Sequence, residues 1–291
     1  MSYQIQKITA SFGGVVNSPF ITKEQCNEIR NDLMQLGVIV IRGYGVQTLN
    51  SFKELISYIF PNAVDIKSHY LIHNKERPGN ENEWHSDLTW MENPPSALAI
   101  QLTKMPVRGG DTIFVDTNAC YDNLSLPIKE LINGKTAIHD QKLFMQTHRD
   151  YNELSAEPIT EDTKTEFEHP IVVEHTVTGK PHLNINRTYT TKLNDIEDPR
   201  VLNFICNSYT MPEFQYRHRW QLGDIVIWDN RSIIHYACSD YYPNERELNR
   251  TIVYEDRPVK MYSGDVKTEN NSPFQGNIAR ERNKMGQWFK K

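Results

Sequence analysis

From Ala97 onward the chain consists of short apolar runs separated by turn residues, a pattern that few folds can accommodate. Runs of three to six residues, bounded by glycine, proline, asparagine or aspartate, are typical of β-strands. Many short strands in one chain favour a β-sandwich or a jelly roll. The runs are Ala97–Leu102, Ile113–Val115, Ile171–Val173, Asp224–Trp228 and Thr251–Tyr254.

Helices are predicted before and between these strands. Thr22 and Gln25 form the pattern of a capping box, and Gly37 can end that helix. Ser51 and Glu54 repeat the pattern at the start of a second helix. The sequence thus predicts a mainly β fold of the α+β class, a β-sandwich or a jelly roll with peripheral helices. Two of these helices are expected between strands, from Pro127 to Ile132 and from Pro199 to Tyr209.

The organisation of the chain favours one domain. Its 291 residues contain no repeat and no linker rich in Gly, Ser or Pro, so residues 1–291 are predicted to form a single domain. The polar segment 146–168 is predicted to be a lid, because long excursions in compact domains often cover a site. The segment from about residue 262 is expected to be a mobile or partner-bound tail.

Charge and composition favour a small molecule as the partner. With 32 basic and 37 acidic residues the net charge is -5, which gives no field that attracts nucleic acid. No apolar stretch approaches the roughly 20 residues of a membrane span, so a cytoplasmic protein without membrane contact is expected. The four cysteines are far apart in sequence, which argues against a disulfide framework and a zinc knuckle.

The strongest chemical signal is His85 followed two residues later by Asp87. In extended backbone, residues i and i+2 point to the same side, so both can hold one ion. Two histidines and one carboxylate on one face of an octahedron leave three positions open, as in non-haem iron(II) oxygenases. A second His-x-Asp begins at His148, but it lies in a polar run, whereas Trp84 and Trp90 can form a dry wall around His85.

The second histidine of such a site is predicted to be His235, which lies in an apolar run. The alternative is a core histidine that bonds a backbone carbonyl. Arg246 and Arg250 follow 11 and 15 residues later, and a hairpin would return both to the metal. A guanidinium pairs with a carboxylate through two parallel hydrogen bonds, which suits 2-oxoglutarate. The alternative for these arginines is surface ion pairs with nearby carboxylates, of Glu245, Glu247 or Asp256.

Taken together, these motifs resemble those of the TauD/TfdA family, the taurine dioxygenase-like enzymes. The resemblance extends from about Gly37 to about Val259. It is carried by Trp84 to Trp90, Gly109 to Thr112, Trp228 to Arg231, His235 to Ala237, and Arg246 with Arg250.

The resemblance implies a double-stranded β-helix (jelly-roll) core and a role for each matching residue. It makes His85, Asp87 and His235 the iron ligands. Thr112 and Arg246 would hold the distal carboxylate of 2-oxoglutarate. Gly109 and Gly110 are expected to form the turn that leads into the strand of Thr112, and Arg231 is expected to be structural.

The resemblance also implies the cofactors Fe(II), 2-oxoglutarate and O2, with release of succinate and CO2 and hydrogen abstraction from a substrate. Hydroxylation of a small anionic or zwitterionic compound is the expected outcome. Desaturation or oxidative decarboxylation of an amino-acid derivative can follow the same abstraction and stays open. Halogenation is not expected, because related halogenases replace the carboxylate that Asp87 supplies.

Four residues are candidates for substrate contact. Arg250 falls where relatives bind the acidic group of the substrate, and Tyr189 and Phe144 are candidates for an aromatic wall or for plain core. Taurine dioxygenases resemble Asn-x-Asn-Trp-His before the metal site, whereas this chain has Glu81 at the first of these positions. A carboxylate there suggests a substrate amine, and the alternative is a solvated loop glutamate.

Two other classes of protein are less consistent with the sequence. A non-catalytic jelly-roll binding protein predicts damage to at least one iron or 2-oxoglutarate residue, and none is visible. A structural zinc site needs a closed set of four ligands rich in cysteine or histidine, and the spacing offers none. A homo-oligomer is expected only by analogy with relatives.

Overall fold

A computed structural model describes residues 4–76, 79, 81–142, 144 and 165–266. The predicted lid lies outside the described residues except for residues 165–168, and so does the predicted tail beyond residue 266. His148 and Asp150 also lie outside them. The secondary structure below refers to the described part of the chain.

The strands, in chain order, are β1 (Ile5–Lys7), β2 (Gly14–Asn17), β3 (Val38–Arg42), β4 (Asp65–His73), β5 (Ala97–Lys104), β6 (Thr112–Asp116), β7 (Thr136–Asp140), β8 (Glu166–Pro170), β9 (Val172–Glu174), β10 (Pro181–Leu183), β11 (Thr190–Leu193), β12 (Gln215–His218), β13 (Ile225–Asp229), β14 (Ile233–Ala237) and β15 (Arg246–Tyr254). The helices are α1 (Lys23–Leu36), α2 (Leu49–Ile59), α3 (Thr117–Asp122), α4 (Leu126–Ile132) and α5 (Arg200–Asn207), with short 3-10 helices at Ser208–Thr210 and Pro212–Phe214.

The chain divides into two compact units, each made of three segments. The first unit contains the segment that ends at Asp87, Asn93–Val115 and Tyr216–Arg257. The second contains Leu88–Glu92, Asp116–Gln215 and the segment from Pro258 onward. The single domain predicted for residues 1–291 stays a prediction.

The first unit has a seven-stranded sheet in the order β1-β2-β3-β13-β5-β15-β4 and a three-stranded sheet in the order β12-β6-β14. One apolar cluster joins them, with Phe114 and Ile233 from the small sheet and Trp228 and Leu248 from the large one. The two sheets therefore pack face to face. Together with the many strands and few helices, this confirms the predicted mainly β, jelly-roll class.

Alternation along the central strands explains why their apolar runs are uninterrupted. Val38 and Val40 of β3 face the core between the sheets, whereas Ile39 and Ile41 face a second cluster. Helices α1 and α2 contribute Leu33 and other apolar residues to that second cluster. Because successive side chains on a strand point to opposite faces, a strand covered on both faces is apolar throughout.

The capping box predicted for α1 is confirmed. Thr22 Oγ1 accepts a hydrogen bond from the backbone N–H of Gln25 at 3.3 Å, and Gln25 Oε1 accepts one from the N–H of Thr22 at 3.0 Å. The predicted start of α2 is wrong. That helix begins at Leu49, because Thr48 Oγ1 accepts from the N–H of Ser51 at 3.2 Å and is its N-cap.

The second unit contains a three-stranded sheet, β11-β7-β8, and a two-stranded sheet, β10-β9. Helices α4 and α5 lie where the sequence predicted them, and a 3-10 helix continues α5 to Thr210.

All four cysteines of the chain are buried free thiols. Within the described residues, none of the helices has the length and apolar character needed to span a membrane. Cytoplasmic location stays a prediction.

Candidate metal and co-substrate site

A backbone bridge in the first unit places His85 beside His235. The N–H of His85 donates to the carbonyl of His235 at 3.1 Å, and the N–H of His235 donates back at 2.8 Å. Residues that exchange both bonds are direct neighbours across an antiparallel pair. Their imidazole centroids lie 4.3 Å apart, so β14 and the segment before Asp87 bring the two histidines together.

Asn230, in the turn between β13 and β14, holds the backbone of Asp87 from both sides. Its Oδ1 accepts from the N–H of Asp87, and its Nδ2 donates to the carbonyl of Asp87, both at 2.9 Å. The same Nδ2 also donates to the carbonyl of Pro95 at 3.2 Å. Asn230 is buried, so these bonds are shielded from water and fix where the Asp87 carboxylate points.

One carboxylate oxygen of Asp87 faces both imidazoles. Its Oδ1 lies 3.1 Å from His85 Nε2 and 3.9 Å from His235 Nε2. One donor atom from each residue lies within 4.8 Å of the other two, and all three side chains are buried. Two nitrogens and one oxygen at this spacing can hold a single metal ion and leave other coordination positions open.

Hydrogen bonding prepares His85 as a donor. Its Nδ1 lies 2.7 Å from the carbonyl oxygen of Glu83. A carbonyl only accepts, so Nδ1 carries a proton, which leaves Nε2 as the nitrogen of His85 that can ligate a metal ion. His235 differs, because its buried Nδ1 has no hydrogen-bond partner among the described residues. This geometry does not fit the alternative of a core histidine bonded to a backbone carbonyl.

The electrostatics of the cluster favour a cation. Burial raises the pKa of Asp87, but the Arg250 guanidinium and the two imidazoles outweigh burial and lower that pKa. Burial, together with the nearby His85, lowers the pKa of His235 to about 3. Burial also lowers the pKa of His85, yet the hydrogen bond and charge of Asp87 outweigh it and raise that pKa. At neutral pH Asp87 is therefore an ionised carboxylate and His235 a neutral imidazole, which are the protonation states that ligate metals.

Arg246, the first residue of β15, is a buried cation near this cluster. Its guanidinium lies over the rings of Trp220 and Tyr241, at 5.5 and 6.0 Å from their centroids. Its Nε has no hydrogen-bond partner among the described residues. Burial lowers the pKa of Arg246, but an arginine stays protonated in proteins. A buried cation in this state suits an incoming carboxylate.

Thr112, the first residue of β6, lines the same pocket as Arg246 and His235. Its Oγ1 accepts a hydrogen bond from Trp220 Nε1 at 3.1 Å, which leaves the hydroxyl proton for another acceptor. Gly109 and Gly110 form the turn before β6, with φ angles of 74° and 77°. A side chain at Gly109 would clash with Asp240, whose backbone lies 2.8 Å from an ideal Cβ position.

The hairpin predicted to return the two arginines is wrong, although the arginines do return. β14 belongs to the three-stranded sheet and β15 to the seven-stranded sheet, so the chain crosses between facing sheets instead of pairing with itself. Arg246 and Arg250 lie four residues apart on β15 and therefore share a face. Arg250 forms an ion pair with Asp87, and the carboxylates of Glu245 and Glu247 contact Lys104.

The remaining predicted residues have different positions. Glu81 lines the pocket, with Oε1 at 3.6 Å from Arg250 Nη1. Tyr189 and Phe144 are buried in the second unit, where Tyr189 contacts Phe144 and Trp90 with ring centroids 5.5 and 4.7 Å away. Their role as an aromatic wall stays a prediction. Arg231 donates to the carbonyl of Pro94 at 3.0 Å, in keeping with a structural role.

Sequence reasoning missed two features of the site. Asn230 stands in the motif Trp228 to Arg231, yet nothing in its spacing shows that it clamps Asp87. His73, the last residue of β4, lines the pocket and its Nδ1 lies 3.2 Å from the Tyr241 hydroxyl oxygen. A polar strand at the edge of a sheet carries no strong pattern, so no signal pointed to this histidine.

Comparisons with known proteins match most of the length of the chain. The model of the family described as taurine catabolism dioxygenase TauD, TfdA family matches residues 3–252. The chain is 27% identical to an alkylsulfatase of Acinetobacter baylyi, over 85% of this chain and 83% of that protein. It is 28% identical to an alpha-ketoglutarate-dependent sulfate ester dioxygenase of Pseudomonas putida, over 87% of this chain and 88% of that protein.

Among solved structures, the fold is similar to that of AAD-2 in complex with Mn(II) and N-oxalylglycine. The TM-score is 0.72 and the identity 21%, with 89% of this chain and 99% of that chain covered. At this identity the likeness supports the fold alone. The fold that surrounds the His85, Asp87 and His235 cluster is thus one known from other proteins.

Proposed function

Because the chain belongs to the TauD/TfdA family, we propose that it is an Fe(II)- and 2-oxoglutarate-dependent oxygenase acting on a small anionic or zwitterionic substrate. One observation carries the proposal. The donor atoms of His85, Asp87 and His235 lie within 4.8 Å of one another, and all three residues are buried. A buried arginine, Arg246, lines the same pocket as His235.

The proposed roles follow from the geometry. His85 Nε2, Asp87 Oδ1 and a nitrogen of His235 hold the iron. Arg246 binds the distal carboxylate of 2-oxoglutarate, with the Thr112 hydroxyl as a second donor. Iron, 2-oxoglutarate and dioxygen supply the oxidising chemistry when they are bound, and succinate and CO2 are released. The protein supplies binding, orientation and a water-poor wall.

Orientation of the substrate is the task of the other pocket residues. Arg250 is the proposed partner of the acidic group of the substrate, as the sequence predicted. The Pseudomonas putida relative is named for sulfate esters, which are anionic, and this supports an acidic group on the substrate. The pocket has an apolar lining, which keeps water away from one side of a bound molecule. It is formed by Leu71, Ile100 and Leu248. The position of the bound substrate then determines which C–H bond reacts.

Hydroxylation is the proposed outcome, and product mass separates it from the alternatives. A gain of one oxygen identifies hydroxylation. Loss of two hydrogens identifies desaturation, and loss of CO2 from the substrate identifies oxidative decarboxylation. Halogenation is not proposed, because the Asp87 carboxylate occupies the position that a halide would need.

The test is succinate release by the purified protein with iron(II), ascorbate, 2-oxoglutarate and a panel of sulfates, sulfonates, carboxylates and amino acids. We expect one class of substrate to stimulate release in the wild type. Asp87→Ala removes a ligand and should reduce release to background. The matched control is Asp65→Ala, since Asp65 is an exposed carboxylate at the start of β4.

Two further measurements keep the result interpretable. Circular dichroism of Asp87→Ala shows whether it folds, since Arg250 loses a partner in that variant. Anaerobic absorption of the wild type with iron and 2-oxoglutarate should show the visible charge-transfer band of the chelate. If that band is missing, the metal assignment is wrong whatever the substrate.

A further inference from the structure

A charged pair, Glu81 and Arg250, lies at the pocket that also contains His235 and Arg246. Glu81 Oε1 is 3.6 Å from Arg250 Nη1, while Nη2 of the same guanidinium contacts Asp87. The two side chains are 17% and 14% exposed, so the pair is shielded from solvent and still open on its pocket side. Charges in such a position act strongly on a bound ligand.

The backbone fixes Glu81 in this position. Its carbonyl accepts a hydrogen bond from the N–H of Ala237 at 3.1 Å, two residues beyond His235 on β14. The bridge between His85 and His235 holds the other end of the same segment. Glu81 is therefore anchored to the strand that carries His235. This does not fit the alternative of a solvated loop glutamate.

The charge balance of the pocket depends on Glu81. Among the pocket-lining residues, Arg246 and Arg250 are the cations and Glu81 is the carboxylate. His73 is neutral at pH 7, because burial lowers its pKa. Asp87 adds one negative charge beside Arg250. The charges of iron(II) and of fully ionised 2-oxoglutarate cancel, so the loaded site is neutral with Glu81 and positive without it.

We propose that Glu81 makes this site selective for zwitterions in which an ammonium group lies close to the acidic group, such as an amino acid. This inference rests on the proposed function. The acidic group binds Arg250 and the ammonium group binds Glu81. Because the two protein charges are 3.6 Å apart, the two ligand charges sit on the same or on neighbouring carbon atoms.

The same carboxylate disfavours plain anions. A simple alkyl sulfate or carboxylate at Arg250 would have the Glu81 charge beside it and no ammonium group of its own to offset that charge. Selectivity arises as much from such repulsion as from attraction. The Pseudomonas putida relative is named for sulfate esters, which are anions, so this chain would differ from it in the charge of its preferred substrate.

The test is binding, measured by calorimetry on the protein loaded with Mn(II) and N-oxalylglycine, so that no turnover occurs. The probes are matched pairs that differ only in the amine, 2-aminohexanoate with hexanoate and 2-aminoethanesulfonate with ethanesulfonate. In at least one pair the wild type should bind the zwitterion about tenfold more tightly than the matching anion. A factor of this size is expected for one charge-assisted hydrogen bond between the ammonium group and Glu81. Glu81→Gln should remove that preference, and Glu81→Asp should keep most of it.

The matched control is Glu247→Gln, because Glu247 lies on β15 three residues from Arg250 but pairs with Lys104. This variant should keep the wild-type preference. Equal binding of both members of every pair by the wild type would overturn the inference. So would an equal loss for both members in Glu81→Gln, which would make Glu81 only a support for Arg250. Binding of neither zwitterion, in protein that binds Mn(II) and N-oxalylglycine, would overturn it too.

Failure of the proposed function gives a different result. In that case Mn(II) and N-oxalylglycine would not bind, and the iron charge-transfer band would be missing. If both are present and only the preference for zwitterions is missing, the oxygenase proposal stands and the inference about Glu81 is wrong.

Discussion

Asp87 shows at the scale of single residues how a ligand is held in place. Its backbone is clamped by Asn230 and its second oxygen by Arg250, which leaves Oδ1 facing the two histidines. Groups that support a metal ligand in this way fix its geometry and affect affinity nearly as much as the ligand does. The residues around the cluster are therefore as testable as the cluster itself.

Asn230→Ala should weaken metal binding by about 10- to 100-fold, because the Asp87 backbone loses both hydrogen bonds. The measurement is titration of the apoprotein with iron(II) under anaerobic conditions. Asn249→Ala is the matched control, since Asn249 is equally buried and its side chain donates to the carbonyl of Gln47 at 3.0 Å. A similar loss of affinity in both variants would show that the effect is general destabilisation.

At this scale the sequence predicted which residues could ligate a metal, but it did not predict which side chains contact one another. His85 and Asp87 were paired by a spacing of two residues, which extended backbone converts into a shared side. His235 is 150 residues from His85, and only the bridge between their backbones makes them neighbours. The ion pair of Arg250 with Asp87 depends in the same way on the crossing between sheets.

Capping governs the helices that cover the outer face of the large sheet. Thr22→Ala should lower the free energy of unfolding by about 1 kcal/mol, because the first turn of α1 loses a side-chain acceptor. Urea denaturation measures the change. Metal affinity should stay at the wild-type value, because α1 contributes no residue to the site.

Thr48→Ala is the matched variant at the start of α2 and should have a similar cost, whereas Glu54→Ala should cost much less. The sequence pattern placed the helix start at Ser51, and the structure places the cap at Thr48. If Glu54→Ala destabilised the protein more than Thr48→Ala did, the cap assignment would be wrong.

The strands were predictable where both their faces are buried. β5 and β13 were predicted as strands because most of their residues are apolar, and they are apolar because helices cover one face of the large sheet and the small sheet covers the other. β4 was missed, because its residues alternate between exposed and half-buried and its sequence is largely polar. Within the described part of the chain it pairs with β15 alone, at the edge of the sheet, a position that demands little hydrophobicity.

At the scale of the whole molecule, the site should control stability. Mn(II) and N-oxalylglycine, each at about 100 times its Kd, should stabilise the folded state by about 2.7 kcal/mol per ligand through mass action. In a chain of 291 residues, with an unfolding entropy of about 2.1 cal/mol/K per residue, each such increment should raise the melting temperature by about 4 °C. Asp87→Ala should lose the part that depends on the metal.

The same melting experiment tests whether the chain unfolds as one domain. Both compact units are assembled from three segments, so the chain passes repeatedly from one to the other. We therefore expect one transition that moves as a whole on ligand binding. Two transitions, of which only one moves, would contradict the single domain predicted for residues 1–291.

The sequence by itself determined the fold class, the candidate ligands and the family resemblance, because these depend on local spacing and on the kinds of residue present. Only the tertiary structure decided which charges meet. Glu81, Asp87 and Arg250 come from segments up to 169 residues apart, and their contacts arise where β14 lies beside the segment of residues 81–85 and β15 faces it from the other sheet. Such contacts follow from packing between distant segments, which no local pattern encodes.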